Sequence, residues 1–114
     1  MESMDSAIKK VIVSRFAEDD LNEIIEYYNS LSENYVQKTV QLFEHNILML
    51  KEFPKTGRFV PELEKMGILK FRELIQGNYR IVYEINNDVV IVHTIIDARR
   101  NFEEIIFSKL MRYY

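Results

Sequence analysis

Apolar residues recur along this chain with a helical period, then with a strand period, and the order of the two predicts its elements. The β-branched run Lys10-Val11-Ile12-Val13 predicts a short first strand, ended by Ser14-Arg15-Phe16. Ala17, Leu21, Ile24, Ile25, Tyr28 and Leu31 then predict a helix from about Ala17 to Leu31. Ser32 is the expected N-cap of a second helix, in which Val36, Val40, Phe43, Ile47 and Leu50 form one stripe until Pro54 stops it. Residues 55–61 read as an irregular connection. Three strands follow, about Ile68 to Ile75, Tyr79 to Ile85 and Val89 to Ile96, joined by turns at Gln76-Gly77-Asn78 and Asn86-Asn87-Asp88. Asn101, with Glu104 in capping-box position, opens a last helix whose Phe102, Ile105, Ile106 and Leu110 face the core.

The order β-α-α-β-β-β-α predicts an α+β fold, with a helical hairpin packed on one face of a small, mainly antiparallel sheet. The 114 residues, 47% of them hydrophobic, suit one core, so a single domain 1–114 is expected, with residues 1 to about 9 as a flexible N-terminal segment. The absence of cysteine excludes a disulfide framework and a thiolate metal site, and it fits a reducing compartment. Met1 to Lys10 holds no apolar run of signal-peptide length, and no stretch is long enough to span a bilayer. A cytoplasmic protein without membrane contact is expected.

The net charge of −3 argues against a protein that coats nucleic acid. Its distribution says more. Residues 1–53 hold five basic and ten acidic side chains, a balance of −5, and the remainder carries +2. The helices are therefore expected to be acidic and any anion-binding surface to lie on the sheet side.

Two arginines, Arg72 and Arg80, stand in adjacent predicted strands. A guanidinium keeps its charge and presents a planar fork of donors, so a strand-mounted pair implies an anionic partner or an internal ion pair, here with Glu73 or Glu84. Asp97, Arg99 and Arg100 precede the last helix and read either as a surface site or as a turn that pairs its own charges. Arg58, after Gly57, is either a partner contact or a lid on a helix end. His93 is either a base or a core-edge histidine. Asp19 and Asp20 are expected in the first turn of helix one, stabilised by its dipole. The pairs Tyr27-Tyr28 and Tyr113-Tyr114 read as packing and terminal residues, with contact to a partner protein as the second reading.

Five pieces stand in order along the chain: residues 17–24, Phe53-Pro54-Lys55-Thr56-Gly57-Arg58, Arg72-Glu73, Tyr79-Arg80-Ile81-Val82-Tyr83 and Asp97-Ala98-Arg99-Arg100. Together, over Val11 to about Ile106, they resemble the RelE/ParE superfamily of toxins from bacterial type II toxin–antitoxin systems. The resemblance implies a toxin of plasmid-stabilisation and stress-response systems, held inactive by a cognate antitoxin encoded beside it. Members like RelE cut messenger RNA in the ribosome without a metal, using basic side chains and a tyrosine near the carboxyl terminus. By position, the nuclease candidates are Lys70, Arg72, Arg80 and Arg100, with His93 as a possible base, but Ile106 or Phe107 stands where the tyrosine belongs. Members like ParE poison DNA gyrase and need a binding surface rather than a catalytic set.

The missing tyrosine and the acidic pI of 5.4 favour the gyrase poison over the ribosome-dependent nuclease, with a non-toxic binding module as a third reading. Arg58, Arg72, Arg80, Asp97, Arg99 and Arg100 are the expected target- or partner-binding residues, with no metal and no cofactor. An antitoxin arm is expected in an apolar groove beside the helical hairpin or the sheet edge, and without it the chain is expected to dimerise there.

Overall fold

A computed structural model describes residues 7–110. β1 (Lys10–Val13) leads directly into α1 (Arg15–Asn29), whose N-cap Ser14 accepts a hydrogen bond from the Ala17 N–H. The helix starts two residues earlier than the apolar spacing predicts, because the cap and not the first apolar residue sets its start. Ser32 caps α2 (Glu33–Met49) as expected, accepting from the Tyr35 N–H. The connection that follows holds two further elements, β2 (Arg58–Phe59) and a single turn of helix, α3 (Pro61–Glu64). Proline at the first helical position presets φ for that turn. β3 (Phe71–Gln76), β4 (Tyr79–Asn86), β5 (Val89–Asp97) and α4 (Phe102–Leu110) complete the chain. Asn101 and Glu104 form the expected reciprocal cap of α4.

The sheet runs β1-β5-β4-β3-β2, with β1 parallel to β5 and every other pair antiparallel. Gly77 and Asn87 take φ of 58° and 56° in the two hairpin turns, the left-handed conformation such tight turns require. One sheet face buries Ile81, Tyr83, Val90, Val92 and Ile95 against Ala17, Phe43, Ile47 and Leu50 of the helical hairpin. The other buries Phe71, Val82 and Ile96 against Val60, Leu63 of α3, and Phe102, Ile106 and Leu110 of α4. Both faces are thus covered, the hairpin on one and the smaller helices on the other.

Between the pairs Val82↔Thr94 and Tyr83↔Val92 the register shifts, leaving His93 as an extra residue in β5. β1 ends opposite Val92, so β5 runs on without a strand on that side. Ser14 covers the next groups, its N–H donating to Val92 O and its hydroxyl to His93 O. The Asp20 carboxylate then accepts from the Ile95 N–H at 3.0 Å and the Thr94 hydroxyl at 2.6 Å, and the Lys109 ammonium of α4 donates to its other oxygen. Asp20 therefore points inward to close the edge of β5, and the helix dipole is not what holds it.

Of the N-terminal segment expected to be flexible, residues 1–6 lie outside the described residues, as do Tyr113 and Tyr114. Ile8 is buried in the core beneath the hairpin, and the Lys9 N–H donates to Asp88 O. The loop after α2 is held by Tyr83, whose buried hydroxyl donates to Pro54 O at 2.6 Å and accepts from the Gly57 N–H at 2.9 Å. A Cβ at position 57 would lie 2.6 Å from both Glu73 O and the Tyr83 hydroxyl. Gly57→Ala is expected to destabilise the fold by roughly 1–3 kcal/mol, the usual penalty of overpacking, seen as a lower denaturant midpoint at unchanged slope.

Candidate functional site

The strand arginines do not form a pair. Arg72 lies opposite Tyr83 and Arg80 opposite Ile75 in the β3–β4 register, and alternation puts the two side chains on opposite faces of the sheet. Arg72 donates to Gly57 O at 2.7 Å and stacks 4.2 Å above the Phe59 ring, so it holds β2 against β3.

Arg80 sits under α3 and α4. Its Nε and Nη2 donate to the two oxygens of Glu73 at 2.7 and 2.9 Å, and its Nη1 and Nη2 donate to those of Glu62 at 3.0 and 2.7 Å. Its guanidinium lies 3.4 Å from the Phe102 ring centroid. Four of the five N–H groups of this arginine are thus engaged inside the protein. With the Arg80 side chain 9% exposed and that of Glu73 not exposed at all, the pair is an internal one. The Arg80 bond holds the Glu62 carboxyl below the ordinary range. Arg58 joins the same cluster through Nε to Glu73 at 2.7 Å, while more than half of its side chain stays exposed.

His93, carried to this face by the bulge, is buried against Phe71, and its Nε2 lies 2.5 Å from Glu84. Lys70 approaches the other Glu84 oxygen at 3.9 Å. Burial holds the His93 imidazole below its ordinary pKa despite the carboxylate beside it, so the neutral ring donates to Glu84. Lys70, Arg80 and His93 share this side of the sheet, whereas Arg72 and Arg100 lie elsewhere. The five nuclease candidates do not converge.

A second group does converge. A cleft of about 320 Å³ opens between α1, the free end of β5 and α4, lined in part by Glu23, Tyr27, Tyr79, Asp97, Arg99 and Arg100. Asp97 accepts from the backbone N–H and from Nε and Nη2 of Arg99, at 2.9, 3.0 and 2.7 Å. These bonds hold the Asp97 carboxyl below its ordinary range and fix the Arg99 guanidinium at the rim. Arg100 beside it is exposed, with no ion pair among the described residues. The Tyr79 hydroxyl meets that of Tyr28 at 3.2 Å, and burial together with that bond pushes the Tyr79 phenol up.

Sequence reasoning singled out Asp97, Arg99 and Arg100, and Tyr27 as a second reading, but not Tyr79 and Lys109, which also line the cleft. Lys109 carried no local signal, because its partner Asp20 is 89 positions away. Among the described residues no group of three His, Asp or Glu side chains is arranged to hold a metal ion, and no helix is long and apolar enough to cross a membrane.

The family model for the ParE toxin of type II toxin–antitoxin systems, parDE, matches residues 11–102. A chain in the solved structure described as the chromosomal ParDE TA system from P. aeruginosa superposes with a TM-score of 0.65. It is 17% identical, and the match covers 81% of this chain and 97% of that one, a likeness of fold. No curated protein matches.

Removing Arg80 leaves the buried Glu73 with Arg58 alone and Glu62 without its bidentate partner. Arg80→Ala is expected to cost about 3–5 kcal/mol in chemical denaturation, while Arg100→Ala leaves the midpoint unchanged. A pH series tests His93. The unfolded chain takes up a proton near 6.5 and the folded chain only at lower pH, so stability is complete above that value and falls below it. The slope contributed is at most about 1.4 kcal/mol per pH unit, and His93→Gln removes it.

Proposed function

This chain belongs to the ParE toxin family of type II toxin–antitoxin systems, and from that membership we propose that it acts by binding and poisoning DNA gyrase until a cognate antitoxin neutralises it. The observation that carries the choice of target is the fate of Arg80. The arginine that a nuclease of this fold would direct at RNA is here spent on Glu73 and Glu62 beneath α4. No tyrosine stands at 106 or 107 to serve as the proton donor. A protein without a converging acid–base set acts through surface complementarity.

The target-binding surface is the cleft end of the molecule, where Asp97 orients Arg99 and Arg100 is exposed. Arg100, and the part of the Arg99 guanidinium that Asp97 does not hold, can meet carboxylate or phosphate groups of the target. The antitoxin takes the exposed apolar side of the helical hairpin, where Leu31, Leu42 and Leu48 face solvent.

The test is a supercoiling assay with purified gyrase, relaxed plasmid and the purified protein. Inhibition with accumulation of linear, gyrase-bound DNA is expected, and the Arg99→Ala/Arg100→Ala double variant should lose about tenfold or more in potency at an unchanged melting temperature. Undisturbed supercoiling together with codon-phased cuts in messenger RNA undergoing translation would assign the protein to the ribosome-dependent nucleases. If neither occurs and cells tolerate the protein, it is a non-toxic binding module.

A further inference from the structure

We propose that the partner segment which seats on the tip of the helical hairpin is cationic, an amphipathic stretch with arginine or lysine flanking its apolar stripe. The proposal rests on the reading of the hairpin as the antitoxin-facing surface and adds the chemistry of what binds there.

The tip is built from three tyrosines and a leucine. Tyr28 packs between Tyr27 and Tyr35, with ring centroids 4.9 and 4.8 Å apart. Tyr27 is 63% exposed, Leu31 66% and Tyr35 50%, so the hairpin presents a contiguous aromatic surface to solvent where α1 passes into α2. Large apolar exposure of this kind marks an interaction surface.

The charge around it selects the occupant. Asp19, Glu23 and Glu26, spaced by four and three residues, form one acidic stripe along α1, and Glu18, Glu33 and Glu44 are exposed as well. None of the six makes an ion pair within 4 Å among the described residues; α1 and α2 carry only the cations Arg15 and Lys38, while Arg99, Arg100 and Lys109 share with Glu23 and Tyr27 the cleft beside α1. Aromatic faces bordered by unpaired carboxylates suit guanidinium and ammonium groups, which gain from ring and carboxylate together. A second copy of the chain would bring the same carboxylates face to face, and an acidic segment would meet the same repulsion. An apolar helix flanked by cations meets neither penalty.

Two synthetic helical peptides, identical in a leucine stripe and flanked by arginine in one and by glutamate in the other, test the proposal by amide chemical-shift mapping and titration. The arginine peptide is expected to shift amides of residues 23–36 and to lose affinity steeply with added salt, while the glutamate peptide leaves them unmoved. In the Glu23→Lys/Glu26→Lys variant, whose substitutions are both exposed, the arginine peptide should weaken by about tenfold. Equal binding of both peptides at the tip would overturn the cationic assignment while leaving the hairpin a docking surface. Binding of neither, or a salt-dependent dimer of the free protein through the tip, would overturn it as well. The toxin reading stands apart from all of these outcomes, because the supercoiling assay decides it.

Discussion

One buried pair, Arg80 and Glu73, organises everything that covers the sheet opposite the helical hairpin. A carboxylate with no solvent exposure survives as a charge only if its oxygens are satisfied, and Arg80 and Arg58 satisfy them. Arg80 in turn needs acceptors for its remaining N–H groups and finds them in Glu62 of α3, while Phe102 of α4 covers its face. Four elements thereby meet around one guanidinium. Planarity matters as much as charge here, since a lysine could neither reach two carboxylates side-on nor stack on the ring.

The arginines of the sheet and those of the turn after β5 stand apart. Arg58, Arg72 and Arg80 each bond to the chain's own carboxylates or carbonyls and hold β2, β3, α3 and α4 in register. Arg99 and Arg100 stand on a turn at the far end of β5, outside that cluster and near the rim of a cleft. Spatial separation lets a surface contact at Arg99 or Arg100 change without weakening the fold.

Local chemistry was legible in the sequence and long-range chemistry was not. The caps at Ser32 and Asn101 and the turns at Gly77 and Asn87 depend on residues at most three positions apart, so spacing alone located them. A strand of two residues leaves no periodicity to read, and β2 exists only because Arg72 and Glu73 hold it from the neighbouring strand. The inward turn of Asp20 depends on Thr94, Ile95 and Lys109, all more than 70 positions away. For the arginines the sequence left an anionic partner and an ion pair with Glu73 or Glu84 open; Arg80 makes the Glu73 pair, and the face each arginine occupies required the register. His93 escaped the alternation argument altogether, because a bulge adds the residue that resets it.

The parallel pairing of β1 with β5 has a consequence for how the molecule comes into being. β1 is an edge strand whose sole neighbour begins at Val89, 79 positions after Lys10. Until a ribosome has made most of the chain, Val11, Ile12 and Val13 have nothing to pair with, and α1 and α2 have only part of the sheet to lie on. Closing so long a loop is slow relative to forming the β3–β4 and β4–β5 hairpins. The finished fold therefore assembles after synthesis is nearly complete, whereas the helical hairpin emerges first. Translation itself sets an interval in which the helical hairpin exists while the sheet it lies on is incomplete.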